Sequence, residues 1–87
     1  MRKFENYNFM FKFLLNIEKK FDNHIDMINH LKKLGYSIYT SNVYEKIVEL
    51  EHKTGTKYYF YTNFTRFDNK PVFSFCYRIT KAGKKYY

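Results

Sequence analysis

The stretch SNVYEKIVELEHKTG, from Ser41 to Gly55, decides the fold because it is compatible with two different secondary structures. As a strand, it would place Val43, Glu45, Ile47, Glu49 and Glu51 on one face and Tyr44, Lys46, Val48 and Leu50 on the other. Neither face is cleanly apolar, which is unusual for a half-buried strand. As a helix, the same segment places Val43, Ile47 and Leu50 at i, i+4 and i+7, along one side.

The two ends of this segment favour the helix. Thr40, Ser41 and Asn42 all offer side chains that can cap a helix N-terminus. Asn42 and Glu45 have the spacing of a capping box, with Asn in place of the usual Ser or Thr. We therefore expect a helix over about residues 42–53 that buries Val43, Ile47 and Leu50. If the segment is a strand, the fold becomes two helices on an antiparallel sheet, and a DNA-reading helix is lost.

The N-terminal part of the chain predicts a long aromatic helix over about residues 4–21. Two apolar stripes run along it at helical spacing, the first with Tyr7, Phe11, Leu14 and Leu15 and the second with Phe9, Phe13 and Ile17. A helix that is apolar on more than one stripe is either deeply buried or shared between partners. We therefore expect a homodimer, and the predicted interface residues are Phe4, Phe9, Phe13 and Ile17.

A second helix is predicted over about residues 23–34. Its apolar residues Ile25, Ile28, Leu31 and Leu34 recur at three-residue spacing. Asp22 or Asn23 can cap its N-terminus. Gly35 stands where a left-handed C-terminal cap belongs.

The remaining residues predict a hairpin over about residues 56–79. The aromatic and Thr-rich TKYYFYTNFTRF suits a strand, DNKP suits a turn, and VFSFCYRI returns as the partner strand. Thr80 can then cap a final turn of helix. Three helices followed by a two-stranded antiparallel wing give an α+β winged helix-turn-helix, formed as one domain by residues 1–87.

Two stretches resemble PadR-like winged-helix regulators. In SNVYEKIVELEHKTG the matching positions are Ser41, Val43, Tyr44, Ile47, Leu50 and Glu51, while Gly55 comes one residue late. In the second stretch, Tyr77, Ile79, Thr80 and Gly83 match the Tyr-x-Leu-Thr-x-x-Gly signature of that group. PadR-like proteins usually dimerise through a further C-terminal helix, and here dimerisation is expected to move to the aromatic first helix. Small phage and plasmid winged-helix proteins, including centromere-binding adaptors of tubulin-like partition systems, resemble the compact form.

The charge distribution agrees with binding to a polyanion. The formal net charge is +8, and the chain contains ten Phe and ten Tyr. Residues 56–87 hold seven of the 16 Lys and Arg residues but a single acidic one, Asp68. A one-sided basic region interleaved with aromatic residues is typical of nucleic-acid-binding proteins.

The resemblance implies that the third helix enters the major groove of duplex DNA and that the wing follows the backbone. The predicted DNA-binding residues near that helix are Tyr39, Thr40, Ser41, Asn42, Glu45 and Lys46. Those on the wing and beyond it are Arg66, Asn69, Lys70, Lys81, Lys84 and Lys85. The three lysines of the last group are predicted to contact phosphates, which sets affinity but not sequence preference.

Enzymatic and membrane functions find little support in the sequence. His24, His30 and His52 are scattered, no Gly-rich phosphate loop is present, and no nucleophile has an evident base. We therefore expect no catalysis, no metal and no cofactor. The single cysteine, Cys76, indicates a reducing compartment, and no apolar run approaches the ~20 residues of a membrane span. A cytoplasmic protein is expected.

The predicted function is sequence-specific binding of double-stranded DNA, as a repressor or as a partition adaptor of a phage or plasmid. The alternative is a small phage-encoded inhibitor, comparable to anti-CRISPR proteins, that binds a host protein or ribonucleoprotein. Glu45, Glu49 and Glu51 suit the alternative better, because acidic side chains repel phosphate.

Overall fold

The computed structural model describes residues 3–42, 45–63 and 72–87, which form two helices and a six-stranded mixed sheet. In chain order, the elements are β1 (Lys3–Phe4), α1 (Tyr7–Lys20), α2 (His24–Lys33), β2 (Ile38–Asn42), β3 (Glu45–His52), β4 (Lys57–Asn63), β5 (Val72–Ile79) and β6 (Lys85–Tyr86). The fold is therefore α+β, but it is not a winged helix-turn-helix.

The predicted third helix over residues 42–53 is wrong, because most of that segment is the strand β3. On one edge β3 pairs with β4 in antiparallel register, from Glu45 opposite Asn63 to Glu51 opposite Lys57. Its other edge is divided between antiparallel β2 and parallel β1. Strand β3 thus gains hydrogen bonds along both edges, and backbone pairing of this extent outweighs a local capping signal.

The acidic residues that made β3 look unlike a strand are accommodated by other strands. The Glu51 carboxylate lies 3.0 Å from the Lys3 Nζ on β1. Glu49 is buried and accepts hydrogen bonds from tyrosines of β2 and β4. On the other face, Val48 and Leu50 are completely buried against the helices. Residues distant in the sequence therefore neutralise or hydrogen-bond Glu51 and Glu49, on the face that looked too polar for a strand.

The two helices lie within the first two predicted ones, but α1 begins at Tyr7 and not at residue 4, because Phe4 belongs to β1. Side-chain caps define the starts of both helices. The Asn6 side chain accepts from the Asn8 N–H at 2.7 Å, at the start of α1. The Asn23 side chain accepts from the Ile25 and Asp26 N–H groups at 2.8 and 3.2 Å, at the start of α2. Gly35 follows α2 with a φ of 96°, the left-handed conformation predicted for it.

One face of the sheet packs on both helices and forms the hydrophobic core. The core residues alternate along β3 and β4, as expected for strands covered on that face. Its members are Phe4, Met10, Leu14, Ile17, Met27, Ile28, Leu31, Tyr36, Val48, Leu50, Tyr58 and Phe60. Neither of the described helices is long and apolar enough to cross a membrane.

The C-terminal residues form a turn and a strand, so the predicted helical turn after Thr80 is wrong. The Thr80 N–H donates to the Lys84 carbonyl at 2.9 Å, and its hydroxyl accepts from the Lys84 N–H at 3.1 Å. Gly83 has a φ of 87°, which allows the chain to reverse. Strand β6 then pairs with the end of β5, where Arg78 lies opposite Tyr86.

The proposed dimer residues are divided between the core and the surface. Phe4 and Ile17 are only 2% and 5% exposed, inside the core of their own chain. Phe13 is half-buried against the same core, with its ring centroid 5.4 Å from that of Phe4. Burial within the chain leaves Phe4 and Ile17 almost no surface for contact with a partner. Phe9 is 56% exposed and is the most accessible of the four.

Candidate nucleic-acid interface

The sheet face opposite the helices, named here the open face, is covered by no helix or strand within the described ranges. The alternation of side chains decides which residues it carries. In β3 and β4 the residues between the core positions project there, and they include Ile47, Glu49, Tyr59 and Tyr61. Antiparallel sheets commonly leave one face to solvent, but such a face usually carries small polar residues rather than tyrosines.

A β-bulge brings a further tyrosine onto the open face. Tyr59 lies opposite Tyr77 and Phe60 lies opposite Phe75, so Cys76 is an extra residue in β5. Strict alternation would place Phe75 and Tyr77 on the same face. Because of the bulge, Phe75 faces the helix layer while Tyr77 stacks on Tyr59, with ring centroids 4.6 Å apart. Bulges commonly re-aim a side chain in this way near functional sites.

Four tyrosines, named here the tyrosine row, cross the open face from β2 to the C-terminus. The members are Tyr39, Tyr59, Tyr77 and Tyr87. Ring centroids are 6.2 Å apart between Tyr39 and Tyr59, and 6.0 Å apart between Tyr77 and Tyr87. Tyr59 is 8% exposed, whereas Tyr39 is 47% and Tyr87 is 87% exposed. The row therefore has a rigid centre and two accessible ends.

The buried carboxylate of Glu49 holds the centre of the tyrosine row in place. Its Oε1 accepts from the Tyr59 hydroxyl at 2.7 Å and from the Tyr39 hydroxyl at 3.3 Å, and it lies 3.9 Å from the Lys57 Nζ. Burial, followed by the hydrogen bond to Glu49, raises the pKa of Tyr59 well above its usual range. Tyr59 therefore stays a neutral hydrogen-bond donor at physiological pH.

Three exposed lysines in the C-terminal segment, Lys81, Lys84 and Lys85, form what we name the basic edge; of these, Lys81 lies against Gly55 in the turn between β3 and β4. The Lys85 Nζ lies 4.1 Å from the Tyr77 ring centroid and 5.2 Å from that of Tyr87. Hydrogen bonding to Tyr87 is the main factor that raises the pKa of Lys85. Lys84 lies on the other side of β6, with its Nζ 5.5 Å from the Tyr86 ring centroid. Aromatic faces and cations thus meet at one corner of the sheet.

Comparison of the chain with protein-family models, with curated proteins and with solved structures finds no match in any of the three. The function is therefore inferred from the chemistry of the site itself. Among the residues for which the structure gives a placement, no group of three or more His, Cys, Asp and Glu side chains is arranged to hold a metal ion. What the open face offers is aromatic surface, the exposed Lys85 and three glutamates of β3, of which Glu49 is buried, Glu51 pairs with Lys3 and Glu45 begins the strand.

The predicted DNA-binding residues fall into two separate groups. Tyr39, Thr40, Ser41 and Asn42 lie on β2, and Glu45 and Lys46 begin β3. The Lys46 Nζ donates to the Thr40 hydroxyl at 3.3 Å, so these residues belong to a strand pair and not to a groove-reading helix. Lys84 and Lys85 lie at the opposite end of the sheet, at or next to β6, which is four strand spacings or about 19 Å from β2. Lys81 lies between β5 and β6, with its side chain against Gly55. Arg66, Asn69 and Lys70 lie outside the described residues.

Sequence reasoning missed four residues of the site, namely Glu49, Tyr59, Tyr77 and Tyr87. A usable signal was present in KYYFYTN, where Tyr59 and Tyr61 alternate with Tyr58 and Phe60. A strand that is aromatic on both faces exposes one aromatic face if helices cover only the other. No comparable signal marks Tyr77, because the bulge at Cys76 decides its direction.

Proposed function

We propose that this protein binds unpaired nucleic acid on the open face of its sheet. The observation that carries the proposal is the corner where Tyr77 and Tyr87 meet the Lys85 ammonium group. A base stacks there on the tyrosine rings, and Lys85 contacts an adjoining phosphate. The protein acts by binding, without catalysis.

The physical basis of the proposal is that aromatic rings on a sheet can stack on bases of any sequence. Each base–aromatic stack contributes about 1–3 kcal/mol, and aromatic residues on the sheet of an RNA-binding domain can stack two or three bases. Tyr77 is held by its stack on Tyr59, which Glu49 fixes through a hydrogen bond, so little side-chain freedom of Tyr77 is lost on binding. The net charge of +8 attracts the strand from a distance.

Unpaired strands fit this surface better than duplex DNA. The predicted reading of the major groove required a helix over residues 42–53, and β3 occupies that segment. Stacking on a tyrosine also requires a base that is free of its neighbours, as in single strands, loops and ends. A role as a duplex-binding repressor or partition adaptor is therefore not part of the proposal. A cytoplasmic location remains part of it, because the chain carries one unpaired cysteine.

One argument for the alternative function, an inhibitor that binds a host protein, no longer holds. That hypothesis relied on glutamates in the segment around residue 45, but Glu49 and Glu51 are engaged by side chains of their own chain. The basic edge could still meet an acidic protein surface. An inhibitor function is the outcome indicated if the protein binds neither unpaired nor paired nucleic acid.

The proposal is tested by fluorescence anisotropy with labelled oligonucleotides of about 12 nucleotides, a length within the usual site size. The probes are an unstructured RNA, a DNA of the same sequence and the corresponding DNA duplex. We expect at least one single strand to bind about tenfold or more tightly than the duplex. Each phosphate contact contributes about −0.7 to the salt slope, so affinity should fall roughly 2.6-fold per contact between about 50 and 200 mM salt.

The matched variant for this experiment is Lys85→Gln, because it removes one charge from an exposed position and keeps a long side chain. The salt slope should become shallower by about 0.7 if Lys85 contacts a phosphate. Lys19→Gln, an exposed position at the end of α1, is the control and should leave the slope unchanged. Equal affinity for single strands and duplex, or no measurable binding at low salt, would contradict the proposal.

A further inference from the structure

A second accessible surface lies on the helix side, in a groove between α1 and β5. Two adjoining cavities of about 480 and 200 Å³ form this groove and share Phe11 and Phe75 in their walls. Tyr7 and Arg78 lie at one end, and Leu15 and Glu18 lie at the other. Helix α1 thus runs antiparallel to β5, and the helix layer leaves the outer part of β5 uncovered.

The walls of the groove expose several large apolar side chains. Tyr7, Phe11 and Phe75 are each 46% exposed, and Leu15 is 53% exposed. Since a large aromatic side chain can bury about 200 Å², the four residues together present roughly 350 Å² of mainly apolar surface. A contiguous patch of this size on a small protein usually marks an interaction site. It is about half of what one partner contributes to a standard interface.

The two ends of the groove carry opposite charges. One carboxylate oxygen of Glu18 accepts from the Phe73 N–H at 2.6 Å, which holds Glu18 at its end of the groove. Arg78 is exposed at the other end, with its guanidinium carbon 4.8 Å from the Tyr86 ring centroid. Neither charge forms an ion pair with another described residue. The surface is therefore acidic, then apolar, then basic along its length.

We infer that the groove binds a second copy of this chain, with the two α1 helices antiparallel across a two-fold axis. In such an isologous contact the same patch occurs on both sides, so Glu18 of one copy meets the partner's Arg78 and the reverse pair forms at the other end. Phe11, Leu15 and Phe75 then pack against the same three residues of the partner. An acidic–apolar–basic surface is complementary to itself only in this orientation.

This dimer differs in its surface from the one expected from the sequence, and it does not depend on the proposed nucleic-acid binding. The groove lies on the helix side of the sheet, whereas the tyrosine row lies on the open face. Association through the groove leaves both open faces accessible to solvent. Loss of one property therefore leaves the other measurable.

The dimer is tested by sedimentation velocity and equilibrium on the full chain over a range of concentrations. We expect a species of twice the 10.8 kDa mass of one chain. The double variant Phe11→Ser, Leu15→Ser should sediment as a single chain, because it removes the apolar centre from exposed positions. Phe9→Ser is the matched control, since Phe9 is 56% exposed on the far side of α1 and should leave the dimer intact.

The charge pattern supplies the second arm of the test. Glu18→Arg and Arg78→Glu should each weaken the dimer about tenfold or more, and the combined variant should recover most of that loss by exchanging the pair. Recovery would identify a second copy as the partner, because only self-association places both substitutions in one contact. A wild-type chain that stays monomeric at every concentration, or single and combined variants that are equally impaired, would overturn the inference.

Discussion

Replacing Leu50 by alanine is expected to lower the free energy of unfolding by about 2–5 kcal/mol, the usual cost of truncating a fully buried leucine. Leu50 is completely buried between β3 and the helix layer. A domain of this size is typically stable by only about 5–15 kcal/mol, so the effect is a large share of the total. Urea unfolding followed by circular dichroism measures it directly.

Comparing Leu50→Ala with Ile47→Ala, which truncates an isomeric side chain, tests whether residues 45–52 form a strand. A helix over residues 42–53 would place Ile47 and Leu50 on one face and bury both. In β3 they lie on opposite faces, and Ile47 is half-buried on the open face. We expect Ile47→Ala to cost about 1 kcal/mol, which is typical of a partly exposed position. Equal and large costs for the two substitutions would contradict the strand.

Replacing Tyr77 and Tyr87 by leucine is expected to reduce the affinity for unpaired nucleic acid by about 30-fold or more. Each lost base stack costs about 1–3 kcal/mol, and 1.4 kcal/mol corresponds to a factor of ten. Leucine keeps apolar volume at Tyr77, which is half-buried against Tyr59, but it removes the aromatic face. The measurement is anisotropy with the tighter-binding single strand.

Tyr86→Leu is the matched control for these two substitutions. Tyr86 is adjacent to Tyr87 in sequence but lies on the opposite side of β6, beside Arg78 and Lys84. Its replacement should change the affinity less than about threefold, since stacking interactions with bases are confined to the open face. If Tyr86→Leu weakens binding as much as the double variant, the nucleic acid does not follow the tyrosine row.

Local signals in the sequence predicted the helices and the C-terminal hairpin. The Asn23 side chain caps α2 by accepting from the N–H groups of Ile25 and Asp26, and Gly35 follows that helix with a positive φ. Such features depend on residues within a few positions of each other, so they can be inferred without a tertiary structure. The apolar stripes of the first two segments added the same kind of local information.

The central strand could not be predicted in the same way, because its partners are distant. The Glu51 carboxylate pairs with Lys3 from the start of the chain, and Glu49 depends on Tyr39 and Tyr59, each ten residues away. A window around residues 43–51 contains the glutamates without the groups that neutralise them. The local balance then favours a helix, and pairing across the sheet reverses it.

Apart from Tyr39, the sequence predicted only the charged residues of the candidate site. Lys84 and Lys85 were expected to contact phosphates on the strength of the basic C-terminal third, and they do lie exposed at one edge of the sheet. Tyr77 was assigned to VFSFCYRI, the second strand of the predicted wing, with no role in binding. Its place on the open face depends on the extra residue at Cys76, which a two-residue alternation cannot anticipate.

The most direct test of the central claim is an NMR titration of the ¹³C-labelled aromatic side chains with the tighter-binding single strand. We predict that the ring signals of Tyr77 and Tyr87 shift as the oligonucleotide is added, because bases stack on these rings. The signals of Phe9 and Phe11 on the helix side should stay in place. Shifts confined to Phe11 and Phe75 in the groove, or unchanged signals of Tyr77 and Tyr87 at saturation, would contradict the account.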